Sequence, residues 1–383
     1  MTDHRNDWTY LATPNATSIL ETLQAWSVRG DAPGILAFVC DTAADLALVP
    51  ALQRAATQLD MPLGGVIVPG VLIPGAFKRS GILLTTRDRK AASAIVPLPS
   101  EDGRTTDAAS DALIAFVDGA ANPDGGDMLM LLMDVAVPDA ASLIDRVYLE
   151  IGDLVTYAGM CAGSESFTEA PCIFDNTRFV REAVLALIQP AHPGATLAHH
   201  YRGAEALWVA TVAKGGLIST IGGRPAFEVY QELMTKEYGI TLDRESFYQY
   251  SVHFPFALNR AQGESLVRIP VRVEEDGSVY CSGEIRENSL VSVVRAVPAG
   301  EVSAAAEVGE GVGAHGAASV LLFYCAGRFL HLGEEAAALE VEAIRAAAGT
   351  TQVYGALCLG EIGALKHQYP AFHNCTLTAM PWI

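Results

Sequence analysis

Hydrophobic and polar positions along the chain repeat one pattern three times. A short apolar run is followed by an amphipathic stretch and then by a second apolar run that contains glycine. The first runs are GILAFVC (Gly34–Cys40), MLMLLMDVAV (Met128–Val137) and SVLLFYCAGR (Ser319–Arg328). The second runs are LGGVIVPG, LVTYAGMCAG and QVYGALCLGEIG. In the stretches between, leucine, valine or isoleucine recur at three- and four-residue steps. Each unit is therefore predicted to be a buried strand, an amphipathic helix and a second buried strand.

The spacing of these units predicts the fold class. Two strands joined by a helix of this length are parallel neighbours with a right-handed crossover. Between the units, DNTR and EEDG are turn sequences flanked by strand-like residues, which predicts hairpins. We therefore expect a mixed α/β fold in which layered mixed sheets, built from repeated strand-helix-strand units, are flanked by helices.

The length of the chain predicts more than one domain. Its 383 residues exceed what a single hydrophobic core usually supports. Near Gly222–Pro225 a sheet-like pattern gives way to a helical one, and Pro225 suits the first turn of a helix. We predict an N-terminal helical extension over residues 1–33, a first domain over 34–223 and a second over 224–383.

Composition narrows the function classes. The formal net charge is −19 and no basic stripe is present, which disfavours nucleic acids and anionic membrane surfaces as partners. No apolar run reaches the roughly 18 residues of a membrane helix, which argues against membrane insertion. The seven cysteines include no CxxC pair. This predicts reduced thiols in a cytoplasmic protein, without disulfides or a structural metal site.

Glycines gather in or after the second strand of each unit. Ligands bind at the carboxyl ends of strands in open α/β sheets, and glycine there lets the backbone approach a ligand or turn sharply. The alternative is tight packing within the fold. The positions concerned are Gly64, Gly65, Gly159, Gly163, Gly355, Gly360 and Gly363.

The second unit ends in GMCAGSESF, which places Cys161, Gly163 and Glu165 together. A thiol at a strand end can be a nucleophile if a base lies nearby, but no histidine is local. Cys161 is therefore a nucleophile with a distant base, a pocket-lining residue or part of the core.

Histidine and arginine supply further candidates. In LAHHYRG, His199 and His200 point to opposite faces if the segment is a strand, and His253 lies in the aromatic run YSVHFPFAL. Each is either a ligand of haem or metal or a residue of the surface or core. Arg268 in LVRIP lies in an alternating strand and requires a carboxylate or phosphate partner, such as Glu361, Glu165 or an anionic ligand.

The stretch YGALCLGEIGALKHQYPAFHN brings several polar groups around one strand and its exit. Cys358 lies in the predicted strand, Gly360 and Glu361 at its end, and His373 and Asn374 just before the next strand. A glutamate between glycines at a strand end either caps backbone donors or faces a cleft. No Walker loop, HExxH, GxSxG or helix-opening GxGxxG occurs, which weakens the case for an enzyme.

Several stretches resemble the FIST domain family (F-box and intracellular signal transduction). YGALCLGEIG with YPAFHNCTLTAMPW resembles the family's C-terminal hallmark, and GGVIVPGVLIPGAFKRSGILLTT resembles a segment of its first half. AGMCAGSESFTEAPCIFDNTRFVREAVLALIQP and GLISTIGGRPAFEVYQELM resemble its middle and its junction. The resemblance covers roughly residues 34–382. Gly360, Glu361, His373 and Asn374 are its hallmark positions, whereas HFPFAL replaces the family's HPLG or YPLG.

The resemblance implies a cytoplasmic sensory domain for small ligands, with amino acids proposed. Such domains occur alone or attached to kinases, cyclases and receptors, and some bacterial members bind haem, sense nitric oxide and act on histidine kinases. The present chain would be a stand-alone sensor that signals to a separate kinase or cyclase.

Three hypotheses follow. The leading one is a non-catalytic sensor of an amino acid or similar zwitterion, without a cofactor. The second is a haem-based nitric-oxide sensor that uses His199, His200 or His253. The third is an acyl-transfer enzyme with Cys161 as nucleophile. The residues predicted to bind the ligand are Cys161, Gly163, Glu165, Arg268, Cys358, Gly360, Glu361, His373 and Asn374.

Overall fold

The protein alternates helices with strands along its whole length. The structure, a computed structural model, describes residues 7–28, 32–101, 104–167, 169–203, 206–260, 265–295, 304–316, 318–350, 352–365 and 368–382. The helices are α1 Ala16–Ser27, α2 Ala43–Leu46, α3 Val49–Gln58, α4 Asp107–Ala120, α5 Ala140–Ile151, α6 Ala226–Tyr238, α7 Phe247–Ser251, α8 Ala304–Gly313, α9 Ala326–Leu332 and α10 Glu334–Ala348. A short 3₁₀ segment, Gly152–Leu154, follows α5.

The strands are given in chain order. They are β1 Trp8–Leu11, β2 Gly34–Cys40, β3 Leu63–Val68, β4 Val71–Ile73, β5 Ala76–Lys78, β6 Ile82–Arg87, β7 Ser93–Pro97, β8 Ser100–Glu101, β9 Arg104–Thr105, β10 Asp127–Asp134, β11 Val155–Ala162, β12 Ile173–Asp175, β13 Phe179–Val180, β14 Ala183–Gln189, β15 Thr196–Ala198, β16 Arg202–Gly203, β17 Trp208–Lys214, β18 Leu217–Ile221, β19 Arg224–Pro225, β20 Phe256–Leu258, β21 Leu266–Arg268, β22 Pro270–Val273, β23 Val279–Cys281, β24 Ser289–Arg295, β25 Ser319–Cys325, β26 Val353–Cys358, β27 Glu361–Ala364, β28 Pro370–His373 and β29 Leu377–Trp382.

The three predicted strand-helix-strand units are confirmed. In each unit the two strands are parallel neighbours: β2 with β3, β10 with β11 and β25 with β26. The first strand of each unit is buried along its full length. Burial on both faces explains why these strands are continuous apolar runs rather than alternating ones. The predicted hairpins are also present, as β12–β13 and β22–β23.

Each unit belongs to a larger repeat that the sequence pattern did not reveal. Every repeat runs strand, helix, strand, helix, strand, hairpin, strand, from β1 to β6, from β7 to β14 and from β15 to β29. Repeat 3 carries a large insertion between β15 and α8. Within the described residues, each repeat contributes four strands to one six-stranded sheet, and the hairpin of another repeat adds the other two. The three sheets have equivalent strand orders: β1-β6-β2-β3-β12-β13, β7-β14-β10-β11-β27-β28 and β15-β29-β25-β26-β4-β5.

These orders show that the repeats exchange hairpins cyclically. The hairpin of repeat 1 (β4–β5) completes the sheet of repeat 3, that of repeat 2 completes the sheet of repeat 1, and that of repeat 3 completes the sheet of repeat 2. The second strand of each hairpin carries one phenylalanine at an equivalent position: Phe77, Phe179 or Phe372. The repeats therefore depend on one another for complete sheets.

The hydrophobic core joins the three repeats. One buried cluster combines side chains from all three sheets, including Phe38, Met130 and Phe323. The rings of Phe38 and Phe323 lie 6.2 Å apart, edge to face. In each repeat two helices pack against each other, α1 with α3, α4 with α5 and α8 with α10. The molecule is thus the layered, mixed α/β fold that the sequence predicts.

The insertion in repeat 3 forms a separate layer, called here the inserted sheet. It consists of strands β16 to β24, with α6 and α7 packed against it around its own apolar cluster. Strands β18 and β23 pair across the position predicted as the domain boundary. Among the described helices, none is long and apolar enough to cross a membrane.

Candidate functional site

A cleft of about 1160 Å³ lies between repeat 2 and the inserted sheet. Repeat 2 contributes the loop that joins β10 to α5, the first turn of α5 and the end of β11. The inserted sheet contributes the β17–β18 turn and residues 282–287, and Phe372 of β28 also lines the cleft. The cleft is therefore at the carboxyl ends of the parallel strands β10 and β11, where α/β sheets bind ligands.

At this edge repeat 2 has a loop among its described residues where the other repeats have a short helix. In repeat 1, α2 follows the first strand of the unit, and in repeat 3, α9 does. In repeat 2, residues 135–139 form only a loop between β10 and α5.

The first turn of α5 receives its cap from the opposite wall of the cleft. Asp139 precedes the helix in a left-handed conformation, and its carboxylate accepts hydrogen bonds from Thr105 instead of from α5. Glu284 of the inserted sheet supplies the missing carboxylate. Its two oxygens accept hydrogen bonds from the backbone N–H and the Oγ of Ser142, both at 2.7 Å. A carboxylate at a helix N-terminus is stabilised by free N–H groups and by the helix dipole.

Phe372 forms part of the cleft floor between two glycines. A Cβ added to Gly283 would lie 2.6 Å from the Phe372 ring, and one added to Gly360 would lie 2.4 Å from it. Gly283 also has a φ of +87°, which a larger residue adopts only with strain. These glycines therefore allow the inserted sheet and β27 to approach the ring from two sides.

Arg268 lies beneath this floor and is 1% exposed. Its Nε donates to the carbonyl of Glu284 at 2.9 Å, and its Nη1 donates to the carbonyl of Phe372 at 3.2 Å. Among the described residues it has no carboxylate partner in an ion pair, so the carboxylate or phosphate expected from the sequence is replaced by main-chain carbonyls. Burial lowers the pKa of Arg268 to about 10. Arg268 thus ties the Glu284 segment to β28.

Glu361 is completely buried and bonded to neutral donors. Its Oε2 accepts from the N–H of Thr376 at 3.1 Å and from its Oγ1 at 2.7 Å, and Cys358 Sγ lies 3.1 Å from its Oε1. Burial, and then the nearby Cys325, raises the pKa of Glu361 well above its ordinary value. No cation among the described residues forms an ion pair with it. The environment therefore favours the neutral carboxyl, which caps backbone and hydroxyl donors instead of facing the cleft.

His373 and Asn374 belong to the same buried layer. His373 lies opposite Glu361 in the β27–β28 ladder and bonds through Nε2 to the carbonyl of Gly363 at 3.0 Å. Its Nδ1 is buried without a hydrogen-bond partner in the described part of the chain. Burial lowers the pKa of His373 to about 3. The Asn374 amide lies 3.3 Å from the Oγ of Ser282, which lines the cleft.

Cys161 is the predicted site residue that itself lines the cleft. It is 2% exposed, and its N–H donates to the carbonyl of Gly360 at 2.8 Å. Burial is the main cause that raises the pKa of its thiol above the ordinary value. Such a thiol resists conversion to the thiolate that nucleophilic attack requires.

The remaining predicted positions differ in their surroundings. Gly163 donates its N–H to the carbonyl of Ile67, in the centre of the fold. Glu165 lies at the surface, where it forms an ion pair of 2.6 Å with Arg79. The structure thus brings Cys161, Arg268, Cys358, Gly360, Glu361, His373 and Asn374 into one region at and below the cleft floor, and Glu165 is engaged elsewhere.

The histidines considered for haem have protein partners. His199 contacts the Ser265 carbonyl through Nε2 and accepts from the Tyr201 N–H at Nδ1, and burial lowers its pKa to about 4. His200 pairs with Glu307 at 2.7 Å. The Nδ1 atoms of His253 and His331 lie 2.5 Å apart. In the described part of the chain, no group of three or more His, Cys, Asp and Glu side chains is arranged to hold a metal ion.

Sequence reasoning missed the residues that face each other across the cleft, Ser142 and Glu284. One signal was available: SGEI at 282–285 and LGEI at 359–362 share a Gly-Glu-Ile core. Both glycines of these motifs contact Phe372. Neither spacing nor periodicity could have paired Glu284 with a helix more than a hundred residues away.

Comparison with known families agrees with this architecture. The model of the FIST N domain matches residues 35–224, and that of the FIST C domain matches residues 226–364. Among curated proteins, none matches the chain. The two matches together span most of the sequence and include Cys161, Glu284 and Glu361. The chain belongs to the FIST domain family, whose members are sensory domains of signal transduction.

Proposed function

We propose that this protein is a non-catalytic sensor that binds a small zwitterion, such as an amino acid, in the cleft between repeat 2 and the inserted sheet. The observation that carries the proposal is the position of the cleft at the carboxyl edge of β10 and β11. Its walls come from two layers, so that an occupant would contact both.

The charges of the cleft walls fit a zwitterionic ligand. Lys214 and Arg104 carry positive charge, and Glu169 and Glu287 carry negative charge. All four side chains are exposed, and Glu169 pairs with Arg181 at 3.0 Å. A zwitterion offers one group to each sign of charge.

Arg268 and Glu361 have a supporting role in this proposal. Both are buried, at 1% and 0% exposure, so they do not meet the ligand directly. Arg268 positions the Glu284 segment, and Glu361, which is bonded to Thr376, adjoins Gly360, which packs against the Phe372 ring. The hallmark residues would therefore shape the floor of the cleft.

The state of Cys161 favours binding over catalysis. A nucleophilic thiol requires a lowered pKa or an adjacent base, and burial instead raises the pKa of Cys161. A ligand would meet the thiol as part of an uncharged floor.

Calorimetric titration with the proteinogenic amino acids tests the proposal. Ala213 lies in the cleft wall, and Ala213→Trp should block the cleft, whereas Ala338→Trp alters an exposed position on α10. We expect at least one amino acid to bind the wild type and Ala338→Trp, and not Ala213→Trp. Equal binding to both variants, or no heat with any amino acid, would contradict the proposal.

We further propose that the sensor acts on a separate histidine kinase or cyclase. The support is its membership of a family of signalling domains. Ligand-dependent autophosphorylation of a kinase encoded beside this protein is the expected readout. A kinase or cyclase whose activity is the same with and without the liganded protein would argue against it.

A further inference from the structure

The cleft already contains one bound carboxylate, which belongs to the protein itself. Glu284 reaches from the inserted sheet to the first turn of α5, where Ser142 donates two hydrogen bonds of 2.7 Å to it. Both residues line the cleft. The donors are thus arranged for a carboxylate, and the group that occupies them comes from the opposite wall.

A second contact joins the same two walls. Arg286, two residues after Glu284, lies 2.5 Å from Asp145 of α5. This pair is largely exposed, at 69% and 43%, so it contributes little to stability by itself. Glu284 is therefore the main polar link between the inserted sheet and α5 in the described part of the cleft.

The Glu284 segment is also tied to the floor. Arg268 holds the Glu284 carbonyl and the Phe372 carbonyl at once, and Gly283 contacts the Phe372 ring. A movement of Glu284 away from α5 would therefore act on β28, which belongs to repeat 3 but completes the sheet of repeat 2.

The floor of the cleft beside this carboxylate is apolar and carries one thiol. Cys161 lines the cleft and is 2% exposed, yet its Sγ has no hydrogen-bond partner among the described residues. A thiol is a weak donor that a ligand oxygen can accept from. The aromatic and aliphatic side chains of Phe372, Val135 and Val137 surround the same space with apolar surface.

We propose that Glu284 is a displaceable internal ligand. A small molecule with a carboxylate takes its place on Ser142, and the inserted sheet is then released from α5. This inference rests on the proposed function and specifies it, because it assigns the carboxylate of the ligand to Ser142 and the transmitted movement to the Glu284 segment.

The proposal has a quantitative consequence. A tethered carboxylate competes at a high effective concentration, so removing it should raise the affinity for an external carboxylate about tenfold or more. A neutral molecule of the same shape gains nothing, because the donors of Ser142 and the end of the helix dipole favour negative charge.

Benzoate and its neutral isostere benzamide, titrated by NMR, provide the test. The variant is Glu284→Ala. The matched control is Glu275→Gln, which removes one negative charge from an exposed position of the inserted sheet outside the cleft. We expect Glu284→Ala to bind benzoate about tenfold more tightly than the wild type does. Benzamide affinity should stay unchanged, and Glu275→Gln should show no comparable gain. Adding Ser142→Ala to Glu284→Ala should reduce the gain, because alanine removes the Oγ donor and keeps the backbone N–H.

Hydrogen exchange gives a second readout that also reports folding. In Glu284→Ala the amides of the first turn of α5 should exchange faster than in the wild type, and benzoate should restore their protection, while β10 and β11 stay protected.

If Glu284→Ala binds benzoate no better than the wild type, the displacement proposal is wrong. An amino acid that binds the wild type but not Ala213→Trp would still support the proposed function in that case. Conversely, benzoate binding to Glu284→Ala without any amino-acid binding would retain Ser142 as a carboxylate site and reject the zwitterion.

Discussion

At the scale of single residues, four polar groups predicted for the site, those of Arg268, Glu361, His373 and Asn374, are buried and bonded to uncharged groups of the protein. Glu361 accepts from Thr376 and Cys358, and Arg268 donates to carbonyls. The sequence correctly marked Cys358, Glu361, His373 and Asn374 as one neighbourhood, because they flank two adjacent strands. It could not place them beneath the cleft surface, since burial depends on which distant strands cover them.

Glu361→Gln tests the state of the buried carboxyl. The pKa of Glu361 in the folded protein lies above its ordinary value of 4.5. The folded state therefore keeps a proton that the unfolded state releases, and the stability that this proton contributes is present below pH 4.5 and is lost as pH rises through the folded pKa. Within that window the wild type should lose up to about 1.4 kcal/mol per pH unit relative to Glu361→Gln.

Urea denaturation of both proteins between about pH 5 and pH 8 measures this difference. Because the introduced glutamine side chain is uncharged at every pH, the stability of Glu361→Gln relative to the wild type should increase with pH. A difference that stays constant across the range would mean that Glu361 ionises normally in the fold.

At the scale of elements, small residues determine how closely neighbouring strands lie. Gly159 and Gly355 occupy equivalent positions in β11 and β26, and an added Cβ would lie 2.1 Å and 1.7 Å from a carbonyl oxygen of the adjacent strand. The sequence pattern predicted the strand-helix-strand units and left open whether these glycines serve a ligand or packing. The structure assigns these two to packing, a distinction that requires the position of the neighbouring strand.

Gly355→Ala should therefore destabilise the protein strongly, by roughly 3 kcal/mol or more, because the backbone of β25 must shift. Gly119→Ala is the matched control. Gly119 lies in helix α4 with no atom within 4 Å of an added Cβ, so alanine there should stabilise by about 0.5–1 kcal/mol. Thermal denaturation of both variants checks the contrast, and similar stability of the two variants would refute the packing role of Gly355.

At the scale of the whole molecule, the cyclic exchange of hairpins couples the three repeats. The hairpin β4–β5 follows β3 directly in the chain but pairs with β26 of repeat 3. Sequence periodicity identified the units, because buried parallel strands leave a strong local pattern. The exchange was not predictable, since a short hairpin such as Val71–Lys78 has the same apolar pattern whichever sheet it joins.

Phe77→Ala tests this coupling. Phe77 lies in the hairpin of repeat 1. The centroid of its ring lies 5.3 Å from that of Tyr324 and 4.9 Å from that of Phe329, both in repeat 3. Its removal should cost roughly 3 kcal/mol. By hydrogen exchange, β25 and β26 should lose more protection than β2 and β3 do. Greater loss in repeat 1, to which Phe77 belongs in sequence, would show that the hairpin stabilises its own repeat instead.

The central claim is that the ligand binds at the carboxyl edge of repeat 2, under the inserted sheet. Hydrogen-exchange mass spectrometry with and without a bound amino acid tests the location directly. We predict that ligand-induced changes in exchange are concentrated in residues 135–139, 213–216 and 282–287, which line the cleft. Protection concentrated at the carboxyl edge of repeat 1 or repeat 3, with these segments unchanged, would contradict the account.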